Sequence, residues 1–77
     1  MEYKAINLAV IEELAAKNNL SAVSVDTLIE AGFVSKNDKV KILGGGTLTR
    51  ALEVKAHAFS KSAAAAIEAQ KGSVVKL

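Results

Sequence analysis

KVKILGGGTLTRALEVKAHAFSKS, residues 39–62, reads in order as strand, glycine loop, strand and helix start. Lys39 to Leu43 alternates lysine with valine and isoleucine, the pattern of a half-buried strand. Gly44, Gly45 and Gly46 form a loop, because three successive glycines carry too much backbone entropy for a sheet interior. Leu52 to Ala58 predicts a second alternating strand, with Leu52, Val54, Ala56 and Ala58 on one face and Glu53, Lys55 and His57 on the other. Ser60 is placed to cap a final helix through about Gln70, rich in alanine and strong in intrinsic propensity.

Upstream, Tyr3 to Ile6 is a short extended segment and Asn7 an expected N-cap. Leu8, Ile11, Leu14 and Ala15 then recur at helical spacing, predicting a helix over 8–17 that Asn18 and Asn19 stop. Ala22 to Val25 reads as a short strand, and Asp26 as the cap of a brief helix from Thr27 to Ala31. Gly32 fits the left-handed residue that closes it, with Phe33 and Val34 expected in the core. The turn 35–38 leads into residue 39. Downstream, Gly72 ends the last helix and Ser73 to Leu77 makes a closing strand. Short strands and helices in this order predict a compact α/β domain, not a regular doubly wound sheet. At 77 residues the chain is expected to form one domain, 1–77.

The net charge of +2 conceals polarity. Between Lys36 and Lys61 lie six cations (Lys36, Lys39, Lys41, Arg50, Lys55, Lys61) and two acids, Asp38 and Glu53. The rest of the chain carries four cations and six acids. If the two alternating strands share a sheet, one face displays Lys39, Lys41, Lys55 and His57. Such a face suits a polyanion, although a solvated lysine face that deters edge pairing has the same composition.

At the helix start, Lys61 occupies a first turn that normally prefers acids, beside the hydroxyls of Ser60 and Ser62. Free N–H groups there suit a phosphate, and an ordinary serine cap with a solvated lysine is the plainer reading. Gly46 is followed by Thr47-Leu48-Thr49 and a strand, so neither a phosphate-cradling nucleotide loop nor a dinucleotide fingerprint fits. The three glycines either turn the chain or bring bare backbone close to a nucleic acid.

Absent cysteine excludes disulfides and thiolate metal sites. A single histidine, without a nucleophile or paired carboxylates at useful spacing, argues against an enzyme or a cofactor. No apolar run reaches the roughly 18 residues that a membrane span needs.

One family shares these features. Lys41-Ile42-Leu43-Gly44, Gly46, Leu48, Leu52, Val54, Phe59-Ser60, Ala63 and Ile67 resemble in order and spacing the C-terminal signature of the bacterial large-subunit ribosomal protein L-fifteen family. Val25 to Gly32 is similar to that family's upstream segment. The resemblance implies irregular superhelical turns of strand, strand and helix. It also implies a structural, non-enzymatic role in the large subunit: binding ribosomal RNA and supporting assembly, in the cytoplasm. Gly45 stands where the family usually has asparagine, Lys71 where it usually has a second glycine, and Ala64 and Ala65 where it carries exposed charges.

Members of that family begin with a long basic, glycine-rich extension, so this chain is expected to be the C-terminal globular part of a longer ribosomal protein. The expected RNA contacts are Lys36, Lys39, Lys41, Gly44, Gly45, Gly46, Arg50, Lys55, His57, Ser60 and Lys61. Neighbouring large-subunit proteins are the other expected partners, with no membrane, metal, cofactor or small-molecule substrate. The alternative is a module that docks on those proteins, through its first or last helix, with little direct RNA binding.

Overall fold

The computed structural model describes residues 2–77. Nine elements follow one another: β1 (Tyr3–Asn7), α1 (Leu8–Asn18), β2 (Ala22–Val23), α2 (Val25–Glu30), β3 (Lys39–Leu43), β4 (Glu53–Ala56), β5 (Ala58–Phe59), α3 (Lys61–Ala69) and β6 (Ser73–Lys76). Odd-numbered strands form one three-stranded sheet in the order β1-β3-β5, and even-numbered strands form another in the order β2-β4-β6. Every pairing is parallel. Parallel neighbours cannot be joined by a tight hairpin. Here each is separated from the next by a full turn of chain through the other sheet. The result is three superhelical turns of an α/β fold, with helices α1 and α3 crossing from first sheet to second in the outer turns and the glycine loop crossing in the middle one.

The expected strand 52–58 is therefore two strands in two sheets. Alternation runs through it, since Leu52, Val54 and Ala56 are all buried. Its hydrogen bonds change partner at His57. The Ala56 carbonyl accepts from Leu77 N–H (2.8 Å) beside β6, whereas His57 N–H donates to the Val40 carbonyl (3.1 Å) of β3. With the Ala56 carbonyl committed to the second sheet, the Val40 N–H donates instead to His57 Nδ1 (2.9 Å). One side chain thus fills the gap that the change of sheet opens in the β3 ladder.

The core lies inside both sheets, where Val40, Ile42, Val23 and Val54 meet Ile11 and Ala15 of α1 and Ala63 and Ile67 of α3. No polar or charged residue is buried among the described residues. Three alanines, Ala15, Ala56 and Ala63, are wholly buried and keep the layers close.

The brief helix is capped two residues earlier than expected. Ser24, not Asp26, is the N-cap: its hydroxyl accepts from Thr27 N–H (3.4 Å) and its N–H donates to Thr27 Oγ1 (3.2 Å), a reciprocal box. Asn7 precedes α1 without capping it through its side chain. The Gly45 carbonyl takes that part, accepting from Ala9 N–H at 3.0 Å. Phe33 is 44% exposed, contrary to its expected core position, while Val34 is buried. Gly32 has φ +86° and closes α2 in the expected left-handed way.

Helix α3 ends differently. Lys71, not a glycine, takes the left-handed conformation (φ 64°). Its N–H donates to Glu68 O (2.9 Å) and Gly72 N–H to Ile67 O (3.0 Å), the paired bonds of a Schellman ending. A side chain in that conformation costs about 1 kcal/mol or more. At Gly72 an added Cβ would collide with the Leu52 carbonyl oxygen. Lys71→Gly is therefore expected to raise the urea midpoint at unchanged slope, by about 1 kcal/mol of stability, and Gly72→Ala to lower it. A neutral or destabilising Lys71→Gly would contradict this reading of the α3 ending.

Candidate nucleic-acid interface

Lys39 and Lys41 project from the outer face of β3, because Val40 and Ile42 between them point into the core. The parallel register sets Tyr3 beside Lys39 and Ala5 beside Lys41, with Ala58 on the other flank of Lys41. Tyr3 is 47% exposed, so this face combines an accessible ring with two cations. No acid occupies β1, β3, β5 or the first turn of α3. The nearest preceding carboxylate, Asp38, accepts the Ser35 N–H (2.8 Å) in the turn that exposes Lys36.

At the carboxyl end of this sheet β5 runs directly into α3. Ser60 caps the helix as expected, its hydroxyl accepting from Ala63 N–H (3.2 Å). It also lies 3.3 Å from the Ser62 hydroxyl. Lys61 is exposed beside them. It follows Ala58, the register partner of Lys41, by three positions, a distance of roughly 10 Å along a strand. None of Lys39, Lys41 and Lys61, nor Lys36, is in an ion pair among the described residues.

The glycines are held by packing rather than left bare. A Cβ at Gly44 would strike the Ser62 side chain, one at Gly45 the Asn7 side chain, and one at Gly46 the backbone of Ala9. Gly46 also has φ +95°. The loop therefore wedges between the starts of α1 and α3, and one face of Gly45 and Gly46 stays exposed. Steric closeness to both helices accounts for all three glycines, where a turn alone would need one or two.

The remaining expected contacts lie elsewhere. Lys55 is in the second sheet, 3.6 Å from the Glu53 carboxylate two residues away on the same face. The shared sheet face of Lys39, Lys41, Lys55 and His57 does not form. His57 is half-buried at the corner between sheets, its Nδ1 committed to Val40 as an acceptor, which puts the proton of the neutral ring on Nε2. Arg50 binds Glu12 of α1 through Nε at 3.3 Å. Glu12 also accepts from Thr49 N–H (3.1 Å) and Thr49 Oγ1 (2.8 Å). That carboxylate ties residues 49 and 50 to the first helix across 37 and 38 positions of sequence. Sequence reading missed it, because Glu12 looks like an ordinary acid near a helix start.

Over residues 5–75 the chain matches a family of ribosomal proteins described as 50S-L15, 50S-L18e and a 60S counterpart. It belongs to that family. It is 62% identical over 77 residues to the large ribosomal subunit protein uL15 of Bacteroides thetaiotaomicron, a match that covers all of this chain and 52% of that relative. To the protein of the same name from Porphyromonas gingivalis it is 58% identical over the same span. For that of Azobacteroides pseudotrichonymphae the figure is 47% over 76 residues. The chain spans about half the length of the curated relatives it matches. The superhelical α/β architecture agrees with the family resemblance in the sequence.

Two Thr49 hydrogen bonds, then the Arg50 charge, hold the Glu12 carboxyl below the usual carboxylate range. A carboxyl whose folded-state pKa is lowered contributes stability that is fully present above its unfolded value and is lost as pH falls on through the lower folded value. Glu12→Gln is thus expected to lose stability near neutral pH and to show a shallower loss between about pH 7 and about pH 3 than the parent. Urea unfolding at both pH values checks it, and equal acid sensitivity in both proteins would remove Glu12 from this role.

Proposed function

We propose that this chain is a structural, non-enzymatic part of the large ribosomal subunit that contacts large-subunit ribosomal RNA and supports subunit assembly in the cytoplasm. The observation that carries this reading is that no acid stands on β1, β3 or β5 or in the first turn of α3, while Lys39 and Lys41 project outward from the first sheet and Lys61 is exposed at the start of α3. A sugar–phosphate chain lying across β3 and β5 would meet these ammonium groups in succession, with Lys36 at the amino end of β3. Tyr3, beside Lys39, offers a ring on which an unpaired base can stack. Gly45 and Gly46 contribute exposed backbone at the edge. The name that the relatives share, large ribosomal subunit protein, supports the same setting.

Within this proposal the expected RNA-facing residues separate by geometry. Lys36, Lys39, Lys41 and Lys61 are free to neutralise phosphate. Ser60 Oγ accepts a hydrogen bond in the α3 cap, and Gly44 is packed against Ser62. His57 supports the sheet corner with Nδ1 while Nε2–H stays available to a ligand. Arg50 and Lys55 are weaker candidates because each already faces a carboxylate. This reading calls for no metal, cofactor or small-molecule substrate, and among the described residues no helix is long and apolar enough to cross a membrane.

Removing one phosphate-neutralising cation flattens the slope of log affinity against log salt by roughly 0.7 to 0.9. Titrating a large-subunit ribosomal RNA fragment against the Lys39→Ala/Lys41→Ala double variant should therefore flatten the slope by roughly 1.4 to 1.8. Lys55→Ala should change it far less. Unchanged affinity in the double variant, or a larger effect from Lys55→Ala, would overturn the assignment.

A further inference from the structure

We infer that the cleft between α1 and α2 is a docking site for a basic segment of another protein that carries a large apolar side chain. This inference stands apart from the RNA-binding flank, and uses none of its residues. The cleft measures about 560 Å³, with Leu14, Leu20, Ala31 and Phe33 supplying its apolar wall. Glu13 and Glu30 flank that wall, with Lys17 as the one cation of the lining.

Phe33 is the anchor. A Schellman ending of α2 fixes its backbone, with Phe33 N–H donating to Leu28 O and Gly32 N–H to Ile29 O, both at 3.0 Å. Val34, next in sequence, goes into the core, yet Phe33 stays 44% exposed. An aromatic side chain on a fixed backbone at the wall of an open cleft loses little freedom on binding. Such residues carry much of the energy of protein interfaces.

The polar groups of the cleft show what kind of occupant fits. Thr27 Oγ1 accepts from the Ser24 N–H, and Asn18 Nδ2 donates to the Leu14 carbonyl at 3.2 Å. Few directed hydrogen-bonding groups remain to orient a small molecule. What remains is charge: neither Glu13 nor Glu30 has an ion-pair partner among the described residues. Two carboxylates against one lysine repel a phosphate backbone and attract a cationic peptide. Lys4, Lys39 and Lys41, unpaired among the described residues, stand on the first sheet, whereas the two unpaired carboxylates of the cleft stand on helices α1 and α2.

The test is a titration of the isotope-labelled protein with a synthetic arginine-rich peptide bearing one central leucine, followed by amide chemical shifts. Saturable shifts are expected at Leu20, Ala31 and Phe33. Replacing leucine by serine in the peptide should weaken binding at least fivefold, as should Phe33→Ala or the Glu13→Lys/Glu30→Lys pair in the protein. Both variants alter exposed side chains, and their own amide spectra report whether they fold. Shifts that map away from the cleft, or an affinity indifferent to both variants, would overturn the inference. So would stronger perturbation of the cleft by polyuridylate RNA, or self-association of the chain through it.

Discussion

The chain passes from one sheet to the other through a single residue, and that passage depends on the imidazole of His57. In this fold strands alternate between two parallel sheets, so every turn must release one set of partners and find another. The first turn makes the return with α2 and the following loop. Between β4 and β5 there is only His57. Its backbone N–H already serves β3, and the preceding carbonyl already serves the end of β6. Without the Nδ1 acceptor the N–H of buried Val40, on the central strand of the first sheet, would have no partner at this corner, at a cost of about 1–3 kcal/mol.

The same economy of space governs the other side of the superhelix. The glycine loop replaces a helix in the middle turn and must fit between the starts of two helices. It caps α1 with a backbone carbonyl, and its Gly44 lies against Ser62 of α3. Glu12 then pins the far end of the loop through Thr49 and Arg50. These interactions fix β3, which carries Lys39 and Lys41, and the start of α3, which carries Lys61, relative to one another.

Much of this was legible in the sequence. The 3.6-residue period of α1, the lysine alternation of β3, the Ser60 cap and the close of α2 at Gly32 all follow local rules that neighbouring residues enforce. The family resemblance supplied the superhelical architecture, which periodicity alone left open. What escaped reading depends on partners far away in the chain. Alternation continues unbroken from Leu52 to Ala58, so the division at His57 is invisible until Leu77 and Val40 are in place. The Arg50–Glu12 pair spans 38 positions, and it withdraws a cation that composition alone counts as free. Phe33 misled because an aromatic beside a glycine that ends a helix is commonly tucked under it, whereas here the neighbouring valine takes that place.

The corner itself can be tested by amide hydrogen exchange at Val40, compared between the parent protein and His57→Ala at matched, native conditions. Slow exchange at Val40 in the parent, with a selective loss of protection there in the variant while α1 stays protected, is the predicted result. Equal protection of Val40 in both proteins would mean that the imidazole does not hold the two sheets together.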